Sequence, residues 1–243
     1  MKRVAFIIFA AGLVILETGC ASSGKAALLS QKDPIALVSV VSNLNINWKG
    51  EEPVNPGNTG LLSRRPRRED PDIVVVSKMD EFIDTAGKLL RESFSNSAVI
   101  NLADEETILN SRSYQEAQLN RHHLSRKMAT PMGYRLVDHR DKNLPSALAR
   151  EVGIQRSMFV EFNFTLDMAT GFGKYGTCRA NAEMMVLVLD ARGKTIYRKI
   201  LSAGSRPTID VSDGKYSETG LLEILESVVT DVCLDFLDDL EYY

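Results

Sequence analysis

Residues 157–190 read SMFVEFNFTLDMATGFGKYGTCRANAEMMVLVLD, and their period decides the fold. Met158, Val160, Phe162, Phe164 and Leu166 fall on one side of an extended chain, and Glu161, Asn163 and Thr165 on the other. Further on, Cys178, Ala180, Ala182, Met184, Val186 and Val188 again share one side. Successive side chains of a strand point to opposite faces, so this alternation predicts two strands. One apolar and one polar face predict an antiparallel sheet covered on a single side.

Working downstream, ARGK (Ala191–Lys194) is a hairpin turn into a third strand, TIYRKILSAG. The segment Ser217–Leu240 carries Leu221, Leu222, Leu225, Val228, Val229, Val232, Phe236 and Leu240 at helical spacing. Such a stripe predicts a helix packed on the sheet. Upstream, PIALVSVVS (Pro34–Ser42) is a β-branched apolar run and predicts a buried strand. Met79, Phe82, Ile83, Ala86, Leu89, Leu90 and Phe94 predict a second amphipathic helix, with Ser77 and Asp80 as its start signal. AVINL (Ala98–Leu102) reads as a short strand, Asp104–Met128 as polar helix with little to bury, and LPSALAREVGI as a short helix closed by Gly153. The expectation is a single α/β domain of the α+β kind over residues 34–243. Its sheet is mixed and largely antiparallel, with helices packed on one face. An irregular insertion at about 43–72 holds Pro53, Pro56, Gly57, Gly60, Pro66 and Pro71.

The composition fits a soluble globular domain, with 25% charged residues and a formal net charge of −3. A domain of about 200 residues buries roughly 70% of its unfolded surface and folds without a metal or disulfide staple. The charge balance gives no basic face of the kind nucleic-acid binding uses, so no nucleic-acid partner is expected.

The chain opens MKRVAFIIFAAGLVILETGCASSG. Lys2 and Arg3 precede an apolar run, Val4–Leu16, of roughly 13 residues, the length of a signal-peptide core and short of the ~20 residues of a spanning helix. Thr18 and Gly19 are small, and Cys20 follows. This arrangement resembles the lipobox of bacterial lipoproteins, although Glu17 stands where that family prefers Leu, which here comes one residue earlier. The resemblance implies a signal peptide over residues 1–19, acyl chains (palmitate among them) on Cys20, and a domain anchored to the inner or outer membrane and facing the periplasm. Residues 20–33 read as the lipidated Cys and a flexible tether of small and polar residues. Cleavage nearby with Cys20 incidental, and a retained anchor, remain the alternatives.

The element order resembles the TolB N-terminal-like α/β domain, shared by curli-secretion lipoproteins and lipoprotein activators of penicillin-binding proteins. The stretches that carry it are SALAREVGIQRSMFVEFNF and LDARGKTIYRKIL, within a match over roughly Ile35 to Leu237. The Arg-rich insertion departs from that family. The family implies no catalytic residues, and the chain lacks the extra amphipathic strand pairs with which the curli-secretion members build a pore.

Candidate chemistry is sparse. GFGKYG (Gly171–Gly176) matches G-x-G-x-x-G, but dinucleotide binding needs those glycines between a strand and a helix, and here they join two strands. The hairpin reading leaves Phe172 and Tyr175 as candidate partner contacts. HRD at His139–Asp141 lacks the other parts of a kinase set. His122 and His123 point ~100° apart on a helix and do not share a metal by themselves. No catalytic residue, metal or cofactor is therefore expected. Arg64, Arg65, Arg67 and Arg68 are the densest charge cluster and a candidate contact with anionic lipid, peptidoglycan or an acidic partner, set against a solvated loop. Trp48 is either a cap on the core or a partner anchor. Cys178 and Cys233 fall on facing apolar stripes and are either a disulfide or two buried thiols.

The functional expectation is a non-enzymatic, membrane-anchored envelope lipoprotein, an accessory or assembly factor working through an envelope protein partner. A periplasmic small-ligand-binding module and an unrecognised enzyme are the alternatives. No oligomeric state is implied.

Overall fold

The structure is a computed structural model. It describes residues 24–26, 28–29, 33–48, 73–74, 76, 78–125, 127–172, 175–213 and 215–241. Strands β1 (Ile35–Asn43), β2 (Ile46–Trp48), β3 (Ile73–Val74), β4 (Met128–Ala129), β5 (Arg156–Phe172), β6 (Tyr175–Asp190), β7 (Thr195–Gly204) and β8 (Ile209–Val211) form one sheet. The helices are α1 (Met79–Ser95), α2 (Glu105–Leu109), α3 (Arg112–Gln115), α4 (Arg121–Ser125), α5 (Asn143–Val152) and α6 (Glu218–Glu241). This is the mixed α+β class predicted, in a single domain.

The long β5–β6 hairpin is the spine. It pairs antiparallel from Arg156↔Asp190 at its base to Phe172↔Tyr175 at its tip. One edge of β5 carries β1, in parallel, and then β2, also in parallel. One edge of β6 carries β7 over its base half and β8 near its tip, both antiparallel. Each long strand thus serves two shorter strands laid end to end. The β1–β2 junction is bridged by a side chain. Asn43 Nδ2 donates to the Phe164 carbonyl at 3.0 Å and Phe164 N donates to Asn43 Oδ1 at 2.7 Å. A carboxamide carries the same donor and acceptor as a peptide group, so Asn43 continues the ladder where the backbone leaves it.

The predicted apolar stripes form the main core. Met158, Val160, Phe162, Phe164 and Leu166 are at most 1% exposed, as are Ala180, Ala182, Met184, Val186 and Val188. They meet α1 and α6 on the same face. Phe94 and Tyr197 close on Phe236, with ring centroids 5.3 and 6.0 Å away. Lys78, rather than Ser77, is the N-cap of α1 and offers no side-chain cap, while Asp80 and Glu81 place negative charge in its first turn, where the helix dipole favours it.

The helices do not keep to one face. α2, α3 and α5 cover the base half of the opposite face through Ile108, Tyr114, Leu144 and Leu148, which pack on Ala36, Val38, Phe159, Leu187 and Leu189. β1 is buried on both sides as a result. Asp104–Met128 therefore buries more than its polarity suggests. It is three short helices with one large residue each in two of them, and helical periodicity needs longer segments to show. Side chains cap those short helices: Asp104 Oδ2 accepts from Thr107 N, and Glu151 on α5 accepts from the backbone of Arg112 and Ser113. The Ser113 hydroxyl, which also donates to Glu151, and then those two backbone bonds hold the Glu151 carboxyl below its usual range. AVINL yields only one bridge, Ile35↔Leu102, and not a strand.

Two boundaries move. The irregular insertion begins after Trp48, because Ile46 and Trp48 pack on the core while Asn47 and Trp48 pair along β5; residues 49–72 lie outside the described residues. The tether is also partly docked. Leu28 is 3% exposed within the main core, and buried Arg156 donates to its carbonyl at 2.7 Å and to that of Asp33. Lys25 Nζ pairs with Asp239 Oδ1 at 2.9 Å, near the end of α6. Small polar composition predicted flexibility, but the two leucines and Lys25 find partners at the sheet base.

Candidate functional site

The residues singled out by sequence do not converge. Cys20, Arg64, Arg65, Arg67 and Arg68 lie outside the described residues, as does the signal-peptide segment. Trp48 is half-buried against the main core, where it caps the β2 end. Cys178 and Cys233 are free and fully buried, so the thiol alternative, not the disulfide, is the one present. Burial pushes the Cys178 thiol up to about 11, helped by Asp167, and the Cys233 thiol up to about 12.

GFGKYG is the hairpin tip. Gly171 pairs with Gly176, and a Cβ on Gly171 would stand 2.2 Å from the Tyr175 carbonyl oxygen. Its φ of +102° is open to glycine and costly for other residues. The glycines are there because two backbones close tightly. Tyr175 is 61% exposed at this tip; the Phe172 side chain lies outside the described set.

Behind the tip, the opposite face of the sheet is open beyond the short helices. The cross-strand rows Asn163–Glu183–Ser202 and Glu161–Met185–Ile200 lie on it. Asn163, Glu183 and Ser202 are exposed, and Ile200 is 50% exposed. Arg179 holds Asp167 nearer the tip, Nε to Oδ1 2.9 Å. Tip and open face together are the candidate interaction surface.

One cluster borders it that sequence reasoning missed. His123 Nε2 lies 3.3 Å from Glu161 Oε2, with the imidazole side chain 9% exposed. His139 stacks edge-on against Phe159, with ring centroids 6.4 Å apart. Burial pushes the His139 imidazole below its ordinary value, against the pull of Asp138, while Arg140 and His123 push the same way as burial. A histidine beside a carboxylate is half of an acid–base relay, and His123 Nδ1 has no hydrogen-bond partner among the described residues. The HRD aspartate serves the backbone: Asp141 accepts from Asn143 N in its own turn and from Gln118 N on a neighbouring loop. The only advance signal for the cluster was the outward register of Glu161.

A shallow depression of about 800 Å³ lies beside β8. Ile209, Asp210, Asp213, Lys215 and Tyr216 wall it, and it opens to solvent.

No family model and no curated protein matches the chain. Among solved structures it is similar to the hypothetical protein CT253 from Chlamydia trachomatis, at 12% identity and a TM-score of 0.38, over 87% of this chain and 94% of that one. Both values are too low for the likeness to carry fold or function.

Proposed function

We propose that this chain is a non-enzymatic lipoprotein of the bacterial cell envelope. In this reading acyl chains on Cys20 hold one α+β domain to a membrane. The domain faces the periplasm and acts as an accessory or assembly factor through an envelope protein partner. The observation that carries the reading is Cys20 itself, directly after a basic start, a run of roughly 13 apolar residues and two small ones. One acyl chain anchors only marginally at ~0.8 kcal/mol per buried CH2, so the reading includes two or more. The TolB N-terminal-like resemblance belongs to this proposal and supplies no residues to it. The hairpin tip with Tyr175 and the open sheet face offer contact surface, and the Arg64–Arg68 cluster adds charge.

Crosslinking the tagged protein in its native membranes, beside a Cys20→Ala control, tests it. The expected result is a discrete envelope protein captured by the wild type and lost from the control. Membrane-bound protein that captures nothing would contradict it.

The depression beside β8 favours a second reading, a small-ligand-binding module, though ligand sites usually enclose most of the ligand surface. A thermal shift against an envelope metabolite panel discriminates, since a ligand of the native state raises its stability.

A further inference from the structure

The docked start of the domain fixes which end of it faces the membrane. Gly24 sits against the start of β7: a Cβ there would lie 3.3 Å from the Ile196 carbonyl oxygen. Lys25 is held by Asp239, and Leu28 is clamped by Arg156. All these partners lie at the base of the sheet, where β5 begins and the β6–β7 turn closes. Cys20 stands four residues before Gly24, a reach of about 14 Å at most. The hairpin tip is 17 residues of β5 away, about 50 Å.

At this base the β6–β7 turn and the Lys142 beside it form a basic corner, apart from the exposed Asp235, Asp238 and Glu241 on the last turns of α6. Gly193 in the β6–β7 turn lies against Lys142, at 3.3 Å from a Gly193 Cβ to the Lys142 Cα. Lys142, Arg192 and Lys194 are all exposed, and no ion pair engages them among the described residues. Asp190 is turned inward to the turn, where its Oδ1 accepts from Arg192 N and Lys194 N at 2.9 Å each. Exposed lysines and arginines near a bilayer are attracted to anionic headgroups.

We propose that the base surface around Lys142, Arg192 and Lys194 rests on anionic lipid headgroups, so that the β5–β6 hairpin stands away from the membrane and presents Tyr175 at its far end. This rests on the anchoring reading above. A tether docked on the domain makes the anchor an orienting device as well as an attachment.

The test uses the full chain, purified from membranes in its anchored form and placed in phosphatidylethanolamine–phosphatidylglycerol vesicles bearing a headgroup acceptor dye. Donor dye is attached at Thr195→Cys (base) or Tyr175→Cys (tip); the native thiols Cys178 and Cys233 are buried and take no dye. The expected result is transfer several-fold stronger from the base than from the tip. A Lys25→Ala, Leu28→Ala pair should narrow that difference, and so should replacing Lys142, Arg192 and Lys194 by Gln. Equal transfer from base and tip, or stronger transfer from the tip, would overturn the orientation. Base transfer unchanged by the Gln replacements would overturn the headgroup contact. Protein that does not float with the vesicles removes the anchoring reading and the orientation together; protein that floats but transfers equally removes the orientation alone.

Discussion

At the scale of single residues, side chains do work that strand periodicity cannot display. Asn43 is a polar residue at the end of an apolar run and looks like a terminator. It is one in a literal sense, since its amide replaces the peptide group that β1 no longer supplies. Asn43→Ala strands a buried N–H and C=O of Phe164 and should cost about 3 kcal/mol, read as a lower urea midpoint at unchanged slope. Asn43→Asp keeps the acceptor, loses the donor and should be at least as damaging. The thiols give a second expectation. With their pKa values pushed up, Cys178 and Cys233 should ignore a thiol reagent at pH 8 in the folded protein and both react in denaturant. If Cys20 is acylated, two thiols and not three appear on unfolding. His139 supplies a third. Its folded value lies below the unfolded ~6.5, so the unfolded chain binds the extra proton. Its contribution is complete above the unfolded value and is lost as pH falls from there through the folded one. A His139→Gln variant should therefore lose less stability than wild type between about pH 7 and pH 5, by chemical denaturation at each pH. Neither the Asn43 bridge nor the His123–Glu161 pair was legible, because both join residues remote in sequence.

At the scale of elements, legibility followed length. β5, β6, α1 and α6 repeat their period often enough to be read, and their apolar faces are the ones buried. α2, α3 and α4 have four or five residues each, barely more than one turn, so Ile108 and Tyr114 had no partners at helical spacing to betray them. The covered second face followed from that miss. Substitution should rank accordingly. Phe236→Ala on α6 removes a ring packed against Phe94 and Tyr197 and should cost about 3–5 kcal/mol. Gly171→Ala at the tip combines a forbidden φ with a backbone clash and should cost about 1–3 kcal/mol, concentrated in faster amide exchange near residues 168–178.

At the scale of the whole molecule, the segment before β1 is held against the sheet base. Composition made residues 21–33 a tether, yet Lys25, Leu28 and Arg156 bind that segment to the sheet base. Burial raises the Asp239 carboxyl, but the hydrogen bonds from Lys25 and Lys199 outweigh it and the group sits below its ordinary value. A depressed carboxyl contributes stability above its unfolded value, ~3.9, and loses it as pH falls through the folded one. Lys25→Ala should therefore cost about 1 kcal/mol at pH 7 and progressively less below about pH 4. The proposed anchor rests on a sequence pattern at the front of the chain alone.

The most direct test of the central claim is the intact mass of the protein purified from membranes, with its N-terminal peptide, beside a Cys20→Ala form. The account predicts a chain beginning at Cys20 and heavier than its sequence by a diacylglyceryl group and a further acyl chain, with that mass absent from the Cys20→Ala form. A chain that still begins at Met1, or one cut elsewhere with a free Cys20 thiol, would contradict it.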